Sequence, residues 1–160
     1  MIRKIMIILF VLATATACNK KGLDNGAAGA NGLDAGTIVP GTEADLVANV
    51  GNVVYFSFDS SILDEESRAT LDRQVAWLKA NPSVNVTVEG NCDERGTRDY
   101  NLALGERRAE AAKRYLVRSG IDASRICTVS YGKERPAVLG TGESVWRLNR
   151  RDVTIVTNNN

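Results

Sequence analysis

The chain has 160 residues, of which 44% are hydrophobic and 24% charged, and its formal net charge is +1. A near-neutral chain gives no electrostatic case for nucleic-acid binding, and the absence of histidine excludes imidazole-based catalysis and His-ligated metal sites. The three cysteines, Cys18, Cys92 and Cys127, include no CxxC pair. The sequence therefore indicates neither a zinc site nor a thioredoxin-like motif.

The N-terminal segment has the organisation of a secretory signal. Arg3 and Lys4 precede an uncharged, mostly apolar run that ends at Ala17 and is too short to span a bilayer comfortably. Small residues stand directly before Cys18 and resemble the lipobox of bacterial lipoproteins, so we predict that residues 1–17 are removed and that Cys18 is acylated, with palmitate among its chains. Asn19 is not the Asp of inner-membrane retention, which implies the outer membrane. An ordinary signal peptide followed by an incidental cysteine is the alternative.

A linker is predicted between the lipidated residue and the folded part, so that residues 18–48 form the lipidated N-terminus and a flexible tether. Gly, Ala, Asn and Asp dominate residues 19–42, which include six glycines. Such a stretch buries too little apolar surface to offset the entropy of ordering it. Fully extended, it could reach roughly 90 Å. A small packed subdomain is the alternative interpretation.

The remaining residues, 49–160, alternate strand and helix signals. Val53–Phe58 is rich in β-branched and aromatic residues and predicts a strand. Asp64 can cap a helix whose apolar residues recur at helical spacing until Asn81-Pro82. Val84–Gly90 then alternates valine with polar residues, which predicts a second strand.

The second half of the domain repeats this alternation. A helix is predicted from about Arg98 to Ser119, with Gly120 as its C-terminal cap. A third strand over Ile126–Tyr131 leads into a loop over 132–142, and a short helical turn precedes a last strand over Asp152–Thr157. The order βαβαβ-β predicts an α/β sandwich, with a mixed four-stranded sheet and helices packed on one face.

A possible binding site lies where the second strand ends. Asp93 is on the loop that follows this strand, and α/β folds place binding groups at such strand ends. Asn101, Leu104 and Arg108 are three and four residues apart, so they share one helix face. A carboxylate and a guanidinium beside one pocket suit a zwitterion, with Asp93 on an ammonium and Arg108 forked onto a carboxylate. A plain Asp93–Arg108 salt bridge is the alternative.

Several short blocks carry a family resemblance. They are Thr87-Val88-Glu89-Gly90, Asp93-Glu94-Arg95-Gly96-Thr97, Tyr100-Asn101, Leu104-Gly105-Glu106-Arg107-Arg108-Ala109, Val129-Ser130-Tyr131-Gly132 and Asn149-Arg150-Arg151. In this order they resemble OmpA-like peptidoglycan-binding domains, specifically those of the peptidoglycan-associated lipoprotein (Pal) family, over residues 53–157. The OmpA-like α/β fold is thereby expected. Asn91 and Cys92 depart from the His and the Thr or Ala that family members often have before the Asp.

The resemblance implies a ligand and a set of site residues. Asp93 and Arg108 would hold the zwitterionic end of meso-diaminopimelate in the peptidoglycan stem peptide, and Phe58, Asp59, Arg95, Asn101 and Leu104 would line or support the pocket. It also implies a non-enzymatic link between the outer membrane and the cell wall, without a cofactor. The domain would face the periplasm within the Tol-Pal system, with TolB as a partner and a role in cell division.

Two other functions are weighed against this one. A peptidoglycan hydrolase would need a catalytic carboxylate pair, a nucleophile with its base, or a zinc cluster, and Cys92 has no imidazole partner. Another OmpA-like lipoprotein anchor would bind the same ligand without a Tol partner.

Some side chains near these motifs have plainer interpretations. Cys92 and Cys127 would lie at opposite ends of neighbouring parallel strands, about 15 Å apart, which is too far for a disulfide, so a buried free thiol is expected. Arg150 and Arg151 fit either the rim of the site or a solvated sheet edge. Four aromatic residues are expected in the core, namely Tyr55, Phe56, Trp77 and Tyr115.

Overall fold

The computed structural model describes residues 38–157. The predicted signal peptide, the lipidation site Cys18, Asn19 and most of the predicted tether lie outside these residues. Residues 38–157 belong to one compact unit, and their buried apolar side chains form one hydrophobic core cluster. No helix in the described part of the chain is both long and apolar enough to cross a membrane.

The described residues form four α-helices and four strands. The helices are Glu43–Asp45 (α1), Glu65–Ala80 (α2), Arg98–Arg118 (α3) and Glu143–Asn149 (α4). The strands are Val53–Tyr55 (β1), Val86–Asn91 (β2), Ile126–Gly132 (β3) and Arg151–Val156 (β4). A π-helical turn, Leu46–Val50, follows α1, and a 3-10 turn, Ala123–Arg125, precedes β3.

The sheet is mixed, as predicted, with the strand order β1-β4-β2-β3. β2 and β3 are parallel, with Val86 opposite Ile126, and they are joined by the crossover helix α3. β4 runs antiparallel to both β1 and β2, with Gly90 opposite Asp152. The carboxyl ends of β2 and β3 therefore meet the start of β4 at one end of the sheet.

The helix boundaries follow from their capping residues. The Asp64 carboxylate accepts a hydrogen bond from the Ser67 amide at 2.8 Å, which begins α2 as predicted. The Thr97 hydroxyl accepts from the Tyr100 amide at 3.2 Å and begins α3. Gly120, with φ of 95°, adopts the left-handed conformation just after α3. These local contacts explain why both long helices begin and end close to their predicted boundaries.

The core lies between the two long helices and one face of the sheet. On β2, Val86 and Val88 are buried, whereas the alternate Thr87 and Glu89 are partly exposed. α2 and α3 contribute Leu71, Val75, Leu78, Ala109, Ala112 and Leu116. Two layers are therefore held together by one apolar interface.

The first strand is shorter than predicted. It ends at Tyr55 instead of Phe58, although the Phe56 amide still donates to the Arg150 carbonyl at 2.9 Å. Beyond Phe56 the chain turns, and Asp59 has a positive φ of 51°. Phe56 is buried in the core as expected, but Tyr55 is 45% exposed, so its predicted core position is wrong.

The folded part begins earlier than the predicted boundary between residues 48 and 49. Leu46 is fully buried in the core, and the Trp77 indole donates to the Asp45 carboxylate at 2.7 Å. The Glu43 carboxylate accepts from the Val156 amide at 2.6 Å. Residues 43–48 therefore belong to the domain.

Cys92 and Cys127 are free and lie at opposite ends of the β2–β3 pair, as expected. Cys127 pairs in register with Thr87 near the start of β2, whereas the Cys92 amide donates to the Gly132 carbonyl at the far end. Cys92 is buried and Cys127 is exposed, so only Cys92 matches the expected buried thiol.

Candidate functional site

A cavity of about 130 Å³ opens at the carboxyl end of β2. All seven residues predicted for the site line it, namely Phe58, Asp59, Asp93, Arg95, Asn101, Leu104 and Arg108. Cys92, Gly96, Tyr100 and Arg150 complete the lining. The structure thus brings together residues from the turn after β1, the loop after β2, the first half of α3, and the junction between α4 and β4.

A close approach of two glycines brings α3 down onto β2 beside this cavity. A methyl group added at Gly90 would overlap the backbone carbonyl of Gly105, and one added at Gly105 would overlap the Ser130 hydroxyl. The helix therefore packs directly on the strand backbone at this point. This contact places the helix face that carries Asn101, Leu104 and Arg108 against the end of the strand.

Asn101 holds the loop between β2 and α3. Its side-chain amide donates to the Arg95 carbonyl at 2.7 Å and to the Thr97 carbonyl at 3.1 Å. The Asn101 carbonyl accepts in turn from the Cys92 thiol at 3.3 Å. Burial raises the pKa of Cys92 to about 11, so the thiol keeps its proton and remains a donor.

Asp93 is paired with two guanidinium groups. Arg95 donates Nε to Oδ1 at 3.1 Å and Nη2 to Oδ2 at 2.6 Å, while Arg150 donates Nη1 to Oδ2 at 3.3 Å. Burial of Asp93 opposes its ionisation, but the hydrogen bonds from Arg95 and Arg150 outweigh it and lower the pKa. Asp93 is therefore a carboxylate at neutral pH.

Arg108 is fully buried and is not the partner of Asp93. It donates Nε to the Ser60 carbonyl at 2.8 Å, Nη1 to the Asn91 carbonyl at 2.8 Å, and Nη2 to the Ser57 carbonyl at 3.2 Å. Nη1 also donates to the Cys92 sulfur at 3.4 Å. Four of its five N–H groups are thus used internally. The alternative Asp93–Arg108 salt bridge is therefore wrong, and the fork of Arg108 onto a ligand carboxylate stays a prediction.

Arg95 lies between two aromatic rings at the mouth of the cavity. Its guanidinium carbon is 4.0 Å from the ring centroid of Phe58 and 4.0 Å from that of Trp146. Phe58 is 60% exposed, and the Trp146 indole is held by a 2.9 Å hydrogen bond to Glu94. The two rings form an aromatic slot that attracts the cation.

Arg150 belongs to the site itself, whereas the sequence left it between a rim position and a solvated sheet edge. It is only 5% exposed, and it donates Nε to the Phe56 carbonyl at 3.0 Å. It also pairs with Glu143 of α4. Its place in the Asn149-Arg150-Arg151 block was the available signal, but the block alone could not say which arginine turns inward.

The remaining wall combines a polar pair with an apolar surface. The Tyr100 hydroxyl donates to the Asp59 carboxylate, and this bond raises the pKa of Tyr100. Leu104 is 5% exposed and provides apolar surface between Asn101 and Arg108. Within residues 38–157 no group of three or more Cys, Asp or Glu could hold a metal ion. The cavity is therefore equipped to bind a small ligand through opposite charges and apolar contact.

A charge-lined cavity at the strand ends of an α/β sandwich defines a small ligand-binding domain. A family model described as the OmpA family matches residues 55–150. The chain belongs to this family, and relatives at 44–47% identity place it within the peptidoglycan-associated lipoprotein group.

Individual relatives agree with this placement. The chain is 47% identical over 149 residues to a peptidoglycan-associated lipoprotein of Rhizobium meliloti, covering 93% of this chain and 84% of that protein. A protein of the same name from Brucella melitensis is 44% identical, covering 95% and 90%. The crystal structure of the peptidoglycan-associated lipoprotein from Burkholderia pseudomallei matches with a TM-score of 0.65 and 42% identity, over 66% of this chain and 90% of that chain.

Proposed function

We propose that this chain is an outer-membrane lipoprotein that binds peptidoglycan without covalent chemistry and links the outer membrane to the cell wall. The ligand is the free end of meso-diaminopimelate in the stem peptide, which carries an ammonium and a carboxylate on one carbon. The carrying observation is the convergence of Asp93, Arg95 and Arg108 on one cavity. Asp93 meets the ammonium, and the guanidinium groups attract the carboxylate.

The positions of the N-terminal entry and of the cavity, at opposite ends of the sheet, support a linking role. Glu43 contacts Val156 at the end of the sheet where β2 begins, whereas the cavity lies where β2 ends. These ends are about 16 Å apart along the strand. The chain thus enters the domain at the end of the sheet opposite the cavity. An anchor at Cys18 and a bound stem peptide would therefore pull on opposite ends of the domain.

The proposed role is binding and not catalysis. The carboxylates of the site are engaged in hydrogen bonds, with Asp93 on Arg95 and Arg150 and Asp59 on Tyr100. The Cys92 thiol is protonated and buried, so it is no nucleophile. We further propose that the protein acts in the Tol-Pal system, with TolB as its periplasmic partner, in envelope integrity and cell division.

Calorimetry tests the ligand assignment. The domain 36–160 is titrated with the tripeptide L-Ala-γ-D-Glu-meso-diaminopimelate, alongside Asp93→Asn and the exposed control Asp122→Asn. Wild type and Asp122→Asn should bind, and Asp93→Asn should lose at least about tenfold in affinity. Equal heats for all three proteins would reject the ligand assignment.

The anchor and the partner have separate tests. Wild-type cells should incorporate labelled palmitate into the protein, and cells that express Cys18→Ser should not. Continued labelling of that variant would reject lipidation at Cys18. Co-purification of TolB with the tagged full-length protein tests the Tol assignment. Failure to recover TolB after crosslinking would favour a lipoprotein anchor outside the Tol system.

A further inference from the structure

The Asp93 carboxylate has no free acceptor position in this structure. Its Oδ1 accepts from the Arg95 amide at 3.1 Å and from Arg95 Nε at 3.1 Å. Its Oδ2 accepts from Arg95 Nη2 at 2.6 Å and from Arg150 Nη1 at 3.3 Å. A carboxylate offers about four lone-pair positions, and all four are used. An arriving ammonium can therefore bind Asp93 only by displacing one of these donors.

Arg95 is the donor that can leave. Its side chain is 30% exposed, whereas that of Arg150 is 6% exposed. Arg150 is also tied to the Phe56 carbonyl and to Glu143. The Arg95 guanidinium carbon is 4.0 Å from the centroids of both the Phe58 and the Trp146 rings, and these contacts do not depend on its hydrogen bonds to Asp93. Its Nη2 is already 3.9 Å from Glu143, a second carboxylate at the cavity mouth.

The forked donor that a ligand carboxylate needs is also on Arg95. Arg108 has a single uncommitted N–H, because its other four bind internal acceptors. The two N–H groups of Arg95 Nη1 take no part in its bonds to Asp93. Once released from Asp93, the Arg95 guanidinium can therefore pair with an anion inside the cavity in a bidentate manner.

We infer that Arg95 is an exchangeable cation that selects zwitterionic ligands: the ligand ammonium replaces it on Asp93, and the ligand carboxylate then takes it as a partner. A ligand with both charges regains the ion pair that it breaks. A ligand with an ammonium alone pairs with Asp93 but leaves the released Arg95 guanidinium without a carboxylate partner. The aromatic slot of Phe58 and Trp146 keeps the guanidinium at the cavity mouth during the exchange.

This inference rests on the proposed function, and two stem peptides test it. L-Ala-γ-D-Glu-meso-diaminopimelate carries the zwitterion, and L-Ala-γ-D-Glu-L-Lys carries the same side-chain ammonium without the carboxylate. Both are titrated by calorimetry into domain 36–160 as wild type, Arg95→Gln and Arg95→Met. Arg95→Met keeps an apolar stem between the rings. The control is Arg98→Gln, whose side chain is 73% exposed and pairs with Glu134 at 3.4 Å.

The expected result is a change in selectivity. In both Arg95 variants, the lysine peptide should bind more tightly than to wild type, and the diaminopimelate peptide more weakly. The affinity ratio should fall by about tenfold, the change that one charge-assisted hydrogen bond makes. Arg98→Gln should keep the wild-type ratio.

The failures are distinguishable from one another. If wild type binds neither peptide, the proposed function is wrong. If wild type binds the diaminopimelate peptide but both folded Arg95 variants keep its ratio, or bind the two peptides more weakly by the same factor, the exchange is refuted while the proposed function stands. Circular dichroism of each variant establishes folding, and either Arg95 variant alone is sufficient for the comparison.

Discussion

Replacement of Arg108 by Met should destabilise the domain strongly, quite apart from any ligand. The guanidinium donates to the carbonyls of Ser57, Ser60 and Asn91 at 2.8–3.2 Å and is fully buried. Met retains the apolar stem but leaves these three acceptors without that donor. The Asn91 carbonyl is buried, and a buried acceptor left unsatisfied costs about 1–3 kcal/mol. Loss of the hydrogen bonds from the charged guanidinium to the more exposed Ser57 and Ser60 carbonyls adds to this cost.

Relief of the buried charge opposes this loss. Burial lowers the pKa of Arg108, which means that the fold disfavours the charged form and that Met removes this penalty. We therefore expect a net decrease of about 2–4 kcal/mol in the free energy of unfolding. That is a large part of the 5–15 kcal/mol typical of a domain.

Urea denaturation of domain 36–160, followed by circular dichroism, measures this change. Arg107→Met is the matched control, because Arg107 is the neighbouring arginine on α3 and is exposed. It should change the free energy of unfolding by less than about 0.5 kcal/mol. A decrease below about 1 kcal/mol for Arg108→Met, at an unchanged urea slope, would refute the view that Arg108 holds the turn after β1 to the end of β2.

Three further predictions concern stability and reactivity. Burial raises the pKa of Asp152 well above its usual range, although the charge of Arg108 opposes the shift, and within residues 38–157 neither carboxyl oxygen has a hydrogen-bond partner. The unfolded chain loses the Asp152 proton near pH 4 while the folded chain keeps it, so the free energy of unfolding falls as pH rises above about 4. In thermal melts, Asp152→Asn should therefore be more stable than wild type by a margin that grows towards neutral pH. A margin that stays constant with pH would contradict this. Gly105→Ala should lower Tm, because overpacking against Ser130 and Gly90 costs about 1–3 kcal/mol or more. This cost exceeds the helix preference of alanine over glycine, which is about 1 kcal/mol. An unchanged or higher Tm would contradict the close approach of α3 to β2. In domain 36–160, a thiol reagent at pH 8 should label the exposed Cys127 quickly. Cys92 should react only on unfolding, because it is buried and burial raises its pKa to about 11. Fast labelling of both cysteines would contradict the burial of Cys92.

Much of the fold was accessible from the sequence because its determinants are local. The Asp64 cap, the apolar spacing within α2 and the valine alternation of β2 each act over a few residues, and the structure has them where they were predicted. The early end of β1 was not accessible in this way. It depends on the Ser57 and Ser60 carbonyls turning towards Arg108, which is 51 and 48 residues away in the chain.

The N-terminal boundary was missed for a similar reason. Leu46 is buried and Val50, four residues further on, packs against the same core, but so short a segment predicts no helix, and the burial depends on contacts made elsewhere in the domain. Asp45 finds its partner Trp77 32 residues along the chain. Local composition favoured a tether up to residue 48 because none of these distant contacts leaves a trace within the segment.

Most members of the candidate site could be predicted from the sequence alone, since the blocks around Asp93 and Arg108 resemble one family and all seven predicted residues line one cavity, whereas Arg150 was left undecided. The pairing within the site was decided by the tertiary structure. Asp93 lies with Arg95 and with Arg150, which stands between α4 and β4, whereas Arg108 is used by backbone carbonyls. Residue types and spacing identify which charges share a helix face or a loop. The choice among three guanidinium groups depends on burial and on distances across the sheet, which only the folded chain establishes.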